Sequence, residues 1–347
     1  MTLLAIESSC DETSAAVILD GVVLSNVVAT QTTLHAEYGG VVPELATREH
    51  LRNLTPVIHE ALSISRTGFK DLDAVAVTRG PGLPAALMAG LKTAEALAYS
   101  LRKPLVTVNH HEAHLYSPWI TGEPPRADFG AFEPSVSLIV SGGHTILVLV
   151  EAELRHRVLG STIDDAAGEC FDKIAKLIGL PYPGGPLVDR LAKEGDPRAH
   201  DFPRPMIRDE TDDFSFSGLK TSVRYFLEKR LSLADDPKQL RDLCASVQAA
   251  IVETLVAKTI RAALREGVRC VTASGGVTCN TGLRELLAAT CRKNGLTLRL
   301  ASRSLCTDNA AMIGILSERM LMAGRIETDL DAEGLPSWPL GSTIPAL

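Results

Sequence analysis

The amino-acid sequence predicts an α/β protein of two related lobes with a ligand cleft between them. Three observations carry that expectation. Short apolar runs of strand length alternate with helical stretches. Glycine-rich turns follow several of the strands, at Arg79-Gly80-Pro81-Gly82, Ser141-Gly142-Gly143 and Ser274-Gly275-Gly276. A strand, polar turn, strand pattern near the N-terminus returns after residue 134.

In chain order, residues 3–6 and 15–19 are apolar, Ser8 to Ser14 forms a polar turn between them, and Asp20-Gly21 is a hairpin signal before Val22-Val23-Leu24. The segment through Glu44 and His50 is mixed and yields no clear element. Ala74–Val77 reads as a buried strand that enters the first glycine turn, and an alanine-rich helix follows to about Leu101. Pro104 to Asn109 reads as a strand ending in an N-cap residue, with a short helix from His110 that stops near Pro118. Residues 121–134, rich in Pro, Gly and charge, read as a boundary.

Beyond it, Val136–Val140, a polar turn Ser141 to Thr145, and Ile146–Val150 repeat the opening pattern. A helix from about Asp164 to Ile178 carries an apolar stripe and ends at Gly179 and Pro181. A long helix from about Leu240 to Glu266 feeds the strand Val268–Ala273, the turn at Ser274-Gly275-Gly276 and another helix. The strand Leu296–Ala301, the run Cys306-Thr307-Asp308-Asn309 and an apolar helix to about Met322 complete the pattern.

At 347 residues and 45% hydrophobic, the chain has enough apolar content for two cored domains. Its seven cysteines are scattered and never form Cys-x-x-Cys, so neither a disulfide framework nor a cysteine zinc site is indicated. The N-terminal Met-Thr-Leu-Leu-Ala-Ile-Glu has no basic region, and no uninterrupted apolar run has membrane-spanning length, so a soluble cytoplasmic protein with no membrane partner is expected. A net charge of −7 argues against binding nucleic acid through the overall field. A local patch from Arg204, Arg208, Lys220, Arg224, Lys229 and Arg230 stays open, as does a plain solvated helix face.

The sharpest chemical signal is Asn109-His110-His111-Glu112-Ala113-His114. His110 and His114, four residues apart on a helix, sit one above the other and can chelate a metal, or else form a capping cluster. The positive helix N-terminus is expected to keep both rings neutral, as ligation requires. Asp308 and Asn280 each allow two readings, as helix caps or as ligand contacts. The glycine pairs at 142–143, 184–185 and 275–276 are expected to aim N–H groups at an anion, and together suggest a nucleotide. None matches the P-loop or the dinucleotide fingerprint.

The motifs closely resemble those of the tRNA N6-adenosine threonylcarbamoyltransferases, the TsaD or Gcp family. The resemblance runs along nearly the whole chain. It rests on Ile6-Glu-Ser-Ser-Cys-Asp11-Glu12-Thr13-Ser14, Tyr38-Gly-Gly-Val-Val-Pro-Glu44-Leu-Ala-Thr-Arg-Glu-His50, His110-x-x-Ala-His114 and Ile139-Val-Ser-Gly-Gly-His-Thr145. It continues through Ala167-Gly-Glu-Cys-Phe-Asp-Lys173, Tyr182-Pro-Gly-Gly-Pro186, Phe214-Ser-Phe-Ser-Gly-Leu-Lys-Thr221, Ser274-Gly-Gly-Val-Thr-Cys-Asn280 and Cys306-Thr-Asp-Asn309.

The family implies a two-lobed actin-like (ASKHA, ribonuclease H-like) fold with an interlobe nucleotide cleft. Under that fold, residues 1–130 form the N-terminal lobe, 131–300 the C-terminal lobe, and 301–347 return to the first. By the same resemblance His110, His114 and Asp308 hold one divalent metal ion, iron(II) first and zinc(II) as an alternative. Ile139, Val140, Ser141, Gly142, Gly143, Asp172, Gly185, Asp189 and Asn280 hold the substrate, threonylcarbamoyl-adenylate.

The reaction implied moves the threonylcarbamoyl group to N6 of adenosine 37 in tRNAs reading codons that begin with A, releasing AMP. Asp11 and Glu12, in the first inter-strand turn, are the candidates for proton acceptor, against plain turn chemistry. The family also implies tRNA, a degenerate TsaB-like paralogue and a small TsaE-like ATPase as partners.

Two departures stand out: Leu335-Pro-Ser-Trp338-Pro-Leu340 lacks the arginines frequent in the family before Trp-Pro-Leu, and Pro84-Ala85-Ala86 replaces a more glycine-rich turn. An actin-like small-molecule kinase, a metalloprotease and a non-enzymatic scaffold are the rival readings. The protease reading is weakened because His-Glu-x-x-His is missed by one position, the fourth neighbour of His111 being Leu115.

Overall fold

The computed structural model describes residues 1–230, 233, 236–326 and 330–341. The chain forms two compact units: Met1–Phe132 with Glu153–Arg155 and Thr307–Leu347, and Glu133–Ala152 with His156–Cys306. Residues 301–306 therefore belong to the second unit.

The first unit opens with β1 (Thr2–Glu7), β2 (Glu12–Leu19) and β3 (Val22–Thr30), an antiparallel meander turned at Asp20-Gly21. After the short α1 (Thr32–Ala36) comes α2 (Pro43–Ser65), then β4 (Ala74–Gly80), α3 (Pro84–Leu101), β5 (Leu105–Asn109) and α4 (His110–Tyr116). The small strands β6 (Ile120–Thr121) and β7 (Arg126–Ala127) lengthen one edge, giving the sheet order β5-β4-β1-β2-β3-β7-β6. β4 pairs in parallel with both β1 and β5, as expected where a helix carries the chain back between strands. Leu4, Ile6, Val17, Val75 and Val77 pack under α2 and α3.

The second unit repeats this plan. β8 (Ser135–Val140), β9 (Thr145–Ala152) and β10 (Arg155–Ser161) come first, followed by α5 (Ala167–Leu177), α6 (Gly184–Ala192), α7 (Ser217–Glu228) and α8 (Pro237–Glu266). Then come β11 (Cys270–Ser274), α9 (Thr281–Lys293) and β12 (Thr297–Leu300), in the order β10-β9-β8-β11-β12. Within each unit three strands run in meander order and two more pair in parallel beyond the first. The recurrence seen in the sequence is thus a recurrence of topology. α8 is long and apolar enough to cross a membrane by composition, yet 78% of its most apolar window is buried, and its Val247, Ile251 and Leu255 sit in the second unit's core. α10 (Ala310–Met322) returns to the first unit and packs on β1, β2 and α4.

The mixed segment through Glu44 and His50 is in fact the 23-residue α2. Its buried positions, Ala46, His50, Leu54, Val57, Ile58, Ala61 and Leu62, have helical spacing, but a histidine within the stripe and Pro56 inside the helix mask the pattern. The Gly184-Gly185 pair is also not a free turn, because it forms the first residues of α6.

The C-terminal segment meets the first glycine turn through backbone groups. Leu335 N donates to Arg79 O at 2.8 Å, and Gly82 N to Pro336 O at 3.2 Å. A Cβ on Gly80 would stand 1.9 Å from Leu335 O, which explains the glycine. Pro84-Ala85-Ala86 opens α3 with proline in the first turn, where its missing N–H costs nothing.

Gly314 lets α10 lie close on the sheet, since a Cβ there would be 2.4 Å from Ile18 Cγ1 and 3.2 Å from Ala5 Cβ. Gly314→Val should destabilise the protein by about 1–3 kcal/mol through overpacking, read as a lower urea midpoint. An unchanged midpoint would mean that α10 is free to shift outward.

Candidate functional site

β5 delivers Asn109 to the start of α4, where Asn109 Oδ1 accepts from His111 N at 2.9 Å and Glu112 N at 3.2 Å. The side chain therefore caps the helix as its sequence position suggested. Its Nδ2 donates to Trp338 O at 3.0 Å, so the C-terminal segment braces the same residue. One turn apart on α4, the His110 and His114 rings lie 4.8 Å centroid to centroid.

Asp308 reaches them from the far end of the sequence. Ala310 N donates to Ser14 Oγ at 2.9 Å and Ala311 N to Asn26 Oδ1 at 3.2 Å, which seats α10 on β2 and β3. Asn309 caps α10, its Oδ1 accepting from Met312 N at 3.2 Å, so Asp308 is left with a different task. Its Oδ1 lies 3.3 Å from His110 Nε2 and 3.1 Å from His114 Nε2. One donor atom from each of the three residues falls within 4.8 Å of the others.

Beneath this trio is a carboxylate that the sequence reading did not single out. Glu7, the last residue of β1, is fully buried. Its Oε2 accepts from His110 Nδ1 at 3.0 Å and from Thr78 Oγ1 at 2.5 Å, and its Oε1 from Ser9 N at 2.5 Å. Ser9 Oγ lies 3.2 Å from the same imidazole nitrogen. Because a carboxylate only accepts, Nδ1 of His110 carries a proton and Nε2 faces Asp308.

The sequence led us to expect two neutral rings. His114 agrees, since burial lowers its pKa. At His110 burial opposes the charge, but Asp308 and then Glu7 outweigh it and raise the pKa well above the ordinary value, a rise that the charge of a bound cation would oppose. Asp308 and Glu7 are correspondingly held low against their own burial, chiefly by His110. Short-range carboxylates have overridden the weaker helix-terminus effect.

Asp11 lies in the turn between β1 and β2, and Glu12 opens β2 opposite Thr30. Burial, then the charges of Asp11 and Asp308, push the Glu12 pKa well above the ordinary value. His50 of α2 fixes this turn: its Nε2 donates to Cys10 O at 2.9 Å, and its Nδ1 pairs with Thr13 Oγ1 at 2.8 Å. Burial lowers the His50 pKa, favouring the neutral ring this arrangement needs.

The other sequence-derived candidates lie in the second unit. Ile139 and Val140 end β8, and Ser141-Gly142-Gly143 turns toward β9, with Ser141 Oγ accepting from His144 N at 3.1 Å. A Cβ on Gly142 or Gly143 would meet nothing within 4 Å, so the turn is open. Its neighbours are tight: a Cβ on Gly168 would be 2.5 Å from Ser141 O, and one on Gly275, at φ +89°, 2.3 Å from Val140 O.

Asp172 Oδ1 accepts from Gly184 N at 2.7 Å and Gly185 N at 3.1 Å. Those two N–H groups are therefore taken, which corrects the expectation that they are aimed at an anion. Asp189 accepts from Thr281 N and Thr281 Oγ1, both at 3.0 Å. Asn280 caps α9 through Leu283 N at 2.9 Å and donates to Gln248 Oε1 at 2.6 Å. Asp172, Gly185, Asp189 and Asn280 thus form one chain of contacts through α6 and the start of α9. Of the basic cluster, Arg204 pairs with Glu253 and Asp201, Lys220 with Asp165 and Arg224 with Glu228, which answers much of its charge.

The family model for TsaD, tRNA N6-adenosine threonylcarbamoyltransferase, matches residues 22–315. The chain belongs to this family. The tRNA N6-adenosine threonylcarbamoyltransferase of Geotalea uraniireducens (strain Rf4) is 52% identical over 343 residues, spanning 99% of this chain and 97% of that protein. The protein of the same name from Chlorobaculum tepidum is 48% identical, spanning 96% of each. Among solved structures, HypF in its phosphate- and nucleotide-bound form aligns with a TM-score of 0.59 at 12% identity, over 93% of this chain and 56% of HypF. Component A of the (R)-2-hydroxyglutaryl-CoA dehydratase of Acidaminococcus fermentans aligns at 0.52 and 15% identity, over 93% and 99%. These two establish the actin-like α/β fold and no more. The full-length TsaD relatives overturn the kinase and metalloprotease readings, because proteins this similar are named for transfer of a threonylcarbamoyl group, neither phosphoryl transfer nor proteolysis.

The donor set of this TsaD chain fits a metal ion. Two imidazole nitrogens and a carboxylate oxygen converge, and His114 Nδ1 is buried without a hydrogen-bond partner among the described residues. Facing acceptors demand a positive charge between them, and either a proton or a cation supplies it. Glu7 escaped the sequence reading because it looks like one polar residue closing an apolar strand. The signal was an acid directly after a continuous apolar run, in a strand otherwise buried on both faces. By holding Nδ1–H, Glu7 directs Nε2 toward the donor cluster. Glu7→Gln should weaken zinc(II) binding about 10–100-fold in a calorimetric titration, with the fold intact by circular dichroism. Wild-type affinity would show that His110 is oriented without Glu7.

Proposed function

We infer that this protein is a tRNA N6-adenosine threonylcarbamoyltransferase, which transfers the threonylcarbamoyl group of threonylcarbamoyl-adenylate to N6 of adenosine 37 and releases AMP. The observation that carries this reading is the 52% identity to such an enzyme across nearly the whole chain. The convergence of His110, His114 and Asp308, far apart in sequence, agrees with it.

In this reading His110, His114 and Asp308 hold one divalent metal ion; two nitrogens and one oxygen with open positions suit iron(II), and zinc(II) fits the same ligands. When bound, the ion supplies Lewis-acid stabilisation of the charge that develops on the departing phosphate. The chain's own residues position the weak exocyclic amine and take its proton. We assign that proton to the Asp11–Glu12 pair. Burial and its acidic neighbours favour the protonated form of Glu12, and we assign the acceptor role to Asp11.

The adenylate is assigned to Ile139, Val140, Ser141, Gly142, Gly143, Asp172, Gly185, Asp189 and Asn280. Support comes from the open Gly142-Gly143 turn and from the way Asp172, Asp189 and Asn280 fix the neighbouring helix starts. We further propose tRNA as acceptor, a TsaB-like paralogue and a TsaE-like ATPase as partners, and a cytoplasmic location, in keeping with seven free cysteines. Residues 1–130 and 131–300 are proposed as the lobes that carry the metal and the adenylate, with the segment after 300 supplying Asp308.

Single-turnover transfer from labelled threonylcarbamoyl-adenylate to unmodified tRNA, with the partner subunits present, tests the reading. His110→Ala should lower the rate about a hundredfold or more. Wild-type protein that transfers nothing would refute the function. Asp11→Asn should cost about a hundredfold or more if Asp11 is the acceptor, and full rate in that variant removes it from the role.

A further inference from the structure

The C-terminal segment crosses the first unit as a strap, and most of its polar contacts are made by its backbone. Lys92 of α3 meets its start, with Nζ 3.1 Å from Asp331 Oδ1 and 3.4 Å from Ala332 O. Arg79 is then held on both sides: its Nε donates to Glu333 O at 2.9 Å, and its own carbonyl accepts from Leu335 N at 2.8 Å. Pro336 O accepts from Gly82 N at 3.2 Å, and Trp338 O from Asn109 Nδ2 at 3.0 Å. Ala332, Trp338 and Leu340 are buried, so apolar contacts keep the strap in place. Carbonyls and one N–H make the bonds at 335–338, and the side chains of Leu335, Pro336 and Ser337 make none of them. The brace is therefore indifferent to the arginines this chain lacks there.

Three routes lead from the strap to the converging donors. Trp338 O fixes the carboxamide of Asn109, whose Oδ1 caps the turn of α4 that carries His110. Pro336 O holds Gly82, and the next residue, Leu83, donates its N–H to Ser9 O at 2.8 Å. Ser9 in turn meets Glu7 Oε1 through its N–H and His110 Nδ1 through its hydroxyl. Arg79, gripped on both sides, directly follows Thr78, which donates to Glu7 Oε2. Every route ends on Glu7 or on the helix start at His110. The layers are tightly seated: a Cβ on Gly82 would be 2.5 Å from Ser9 O, and one on Gly80 1.9 Å from Leu335 O, so a shift of the strap is passed inward.

We propose that the strap over residues 331–338 is a positioning element of the donor set. It holds Glu7 and His110 in the geometry that retains a divalent cation, and loosening it weakens that retention. Glu7 touches His110 directly and Asn109 caps its helix; the strap acts one layer further out, on the groups that orient a ligand rather than on the ligand itself. The effect on cation binding rests on the reading of His110, His114 and Asp308 as metal ligands. The packing of the strap against Arg79, Gly82 and Asn109 does not.

The test uses two full-length variants. Gly80→Ala sets a Cβ against Leu335 O and lifts the strap, while Asn109→Ser keeps a capping oxygen for α4 and loses the N–H given to Trp338 O. Zinc(II) affinity is read by competition with a chromophoric chelator, and hydrogen exchange over β5 and α4 is read in metal-free protein. Each variant should lose about tenfold in zinc affinity, with faster exchange at His111 and Glu112 and unchanged exchange in β8 and β11. The double variant should lose no more than the weaker-binding single one, because both break the same brace. Wild-type zinc affinity in Asn109→Ser, or losses that add in the double variant, would overturn the proposal. If Gly80→Ala fails to fold, Asn109→Ser decides alone. Wild-type protein that binds no zinc counts against the metal reading, and exchange in the variants still decides whether the strap fixes α4.

Discussion

The end of the first unit where His110, His114 and Asp308 converge depends on a buried negative charge. Glu7 sits at the end of a strand whose preceding residues, Leu3 to Ile6, are fully buried, a place where an unpaired carboxylate would be strongly disfavoured. It persists because Ser9 N, Thr78 Oγ1 and His110 Nδ1 satisfy it. That same hydrogen bond fixes the tautomer of His110, and so determines which nitrogen faces Asp308. Glu7 and Asp308 together place excess negative charge around two imidazoles. In the absence of a metal a proton on His110 answers part of it, and a divalent cation answers it more fully.

The second unit uses carboxylates for a different purpose. Asp164 receives Phe216 N, Ser217 N and the hydroxyls of Ser215 and Ser217 at the start of α7. Asp172 does the same for α6 and Asp189 for α9. An acid at a helix N-terminus satisfies otherwise orphaned N–H groups and opposes the helix dipole, so each carboxylate fixes one loop. Two units with one strand order thus carry different chemistry: nitrogen and oxygen donors in the first, backbone turns and helix starts in the second. The side chains added at the strand ends make the difference.

Much of this was legible along the chain. Alternating strands and helices, the Asp20-Gly21 hairpin, the Asn109 cap and the long α8 follow from periodicity and cap chemistry, which act over a few residues. The histidine pair was visible for the same reason, because helix geometry alone places His110 over His114. Local signals failed where a buried polar residue interrupts an apolar stripe. His50 hid α2, though it belongs there to hold Cys10 O and Thr13 Oγ1.

The order of elements, the duplicated plan, the family motifs and the chelating spacing on α4 were determined by the sequence itself, since each is written in residues close together. Only tertiary structure decided that Asn309 caps α10 and leaves Asp308 to the histidines, and that Gly184 and Gly185 give their N–H groups to Asp172. The same holds for the two carboxylates that face His110 and draw its pKa upward, against the lowering that its helix position implied. Each of these outcomes depends on contacts between segments many residues apart, from Glu7 to His110 and from His114 to Asp308. At about 3 Å such charge and hydrogen-bond contacts outweigh the local preferences that a sequence displays.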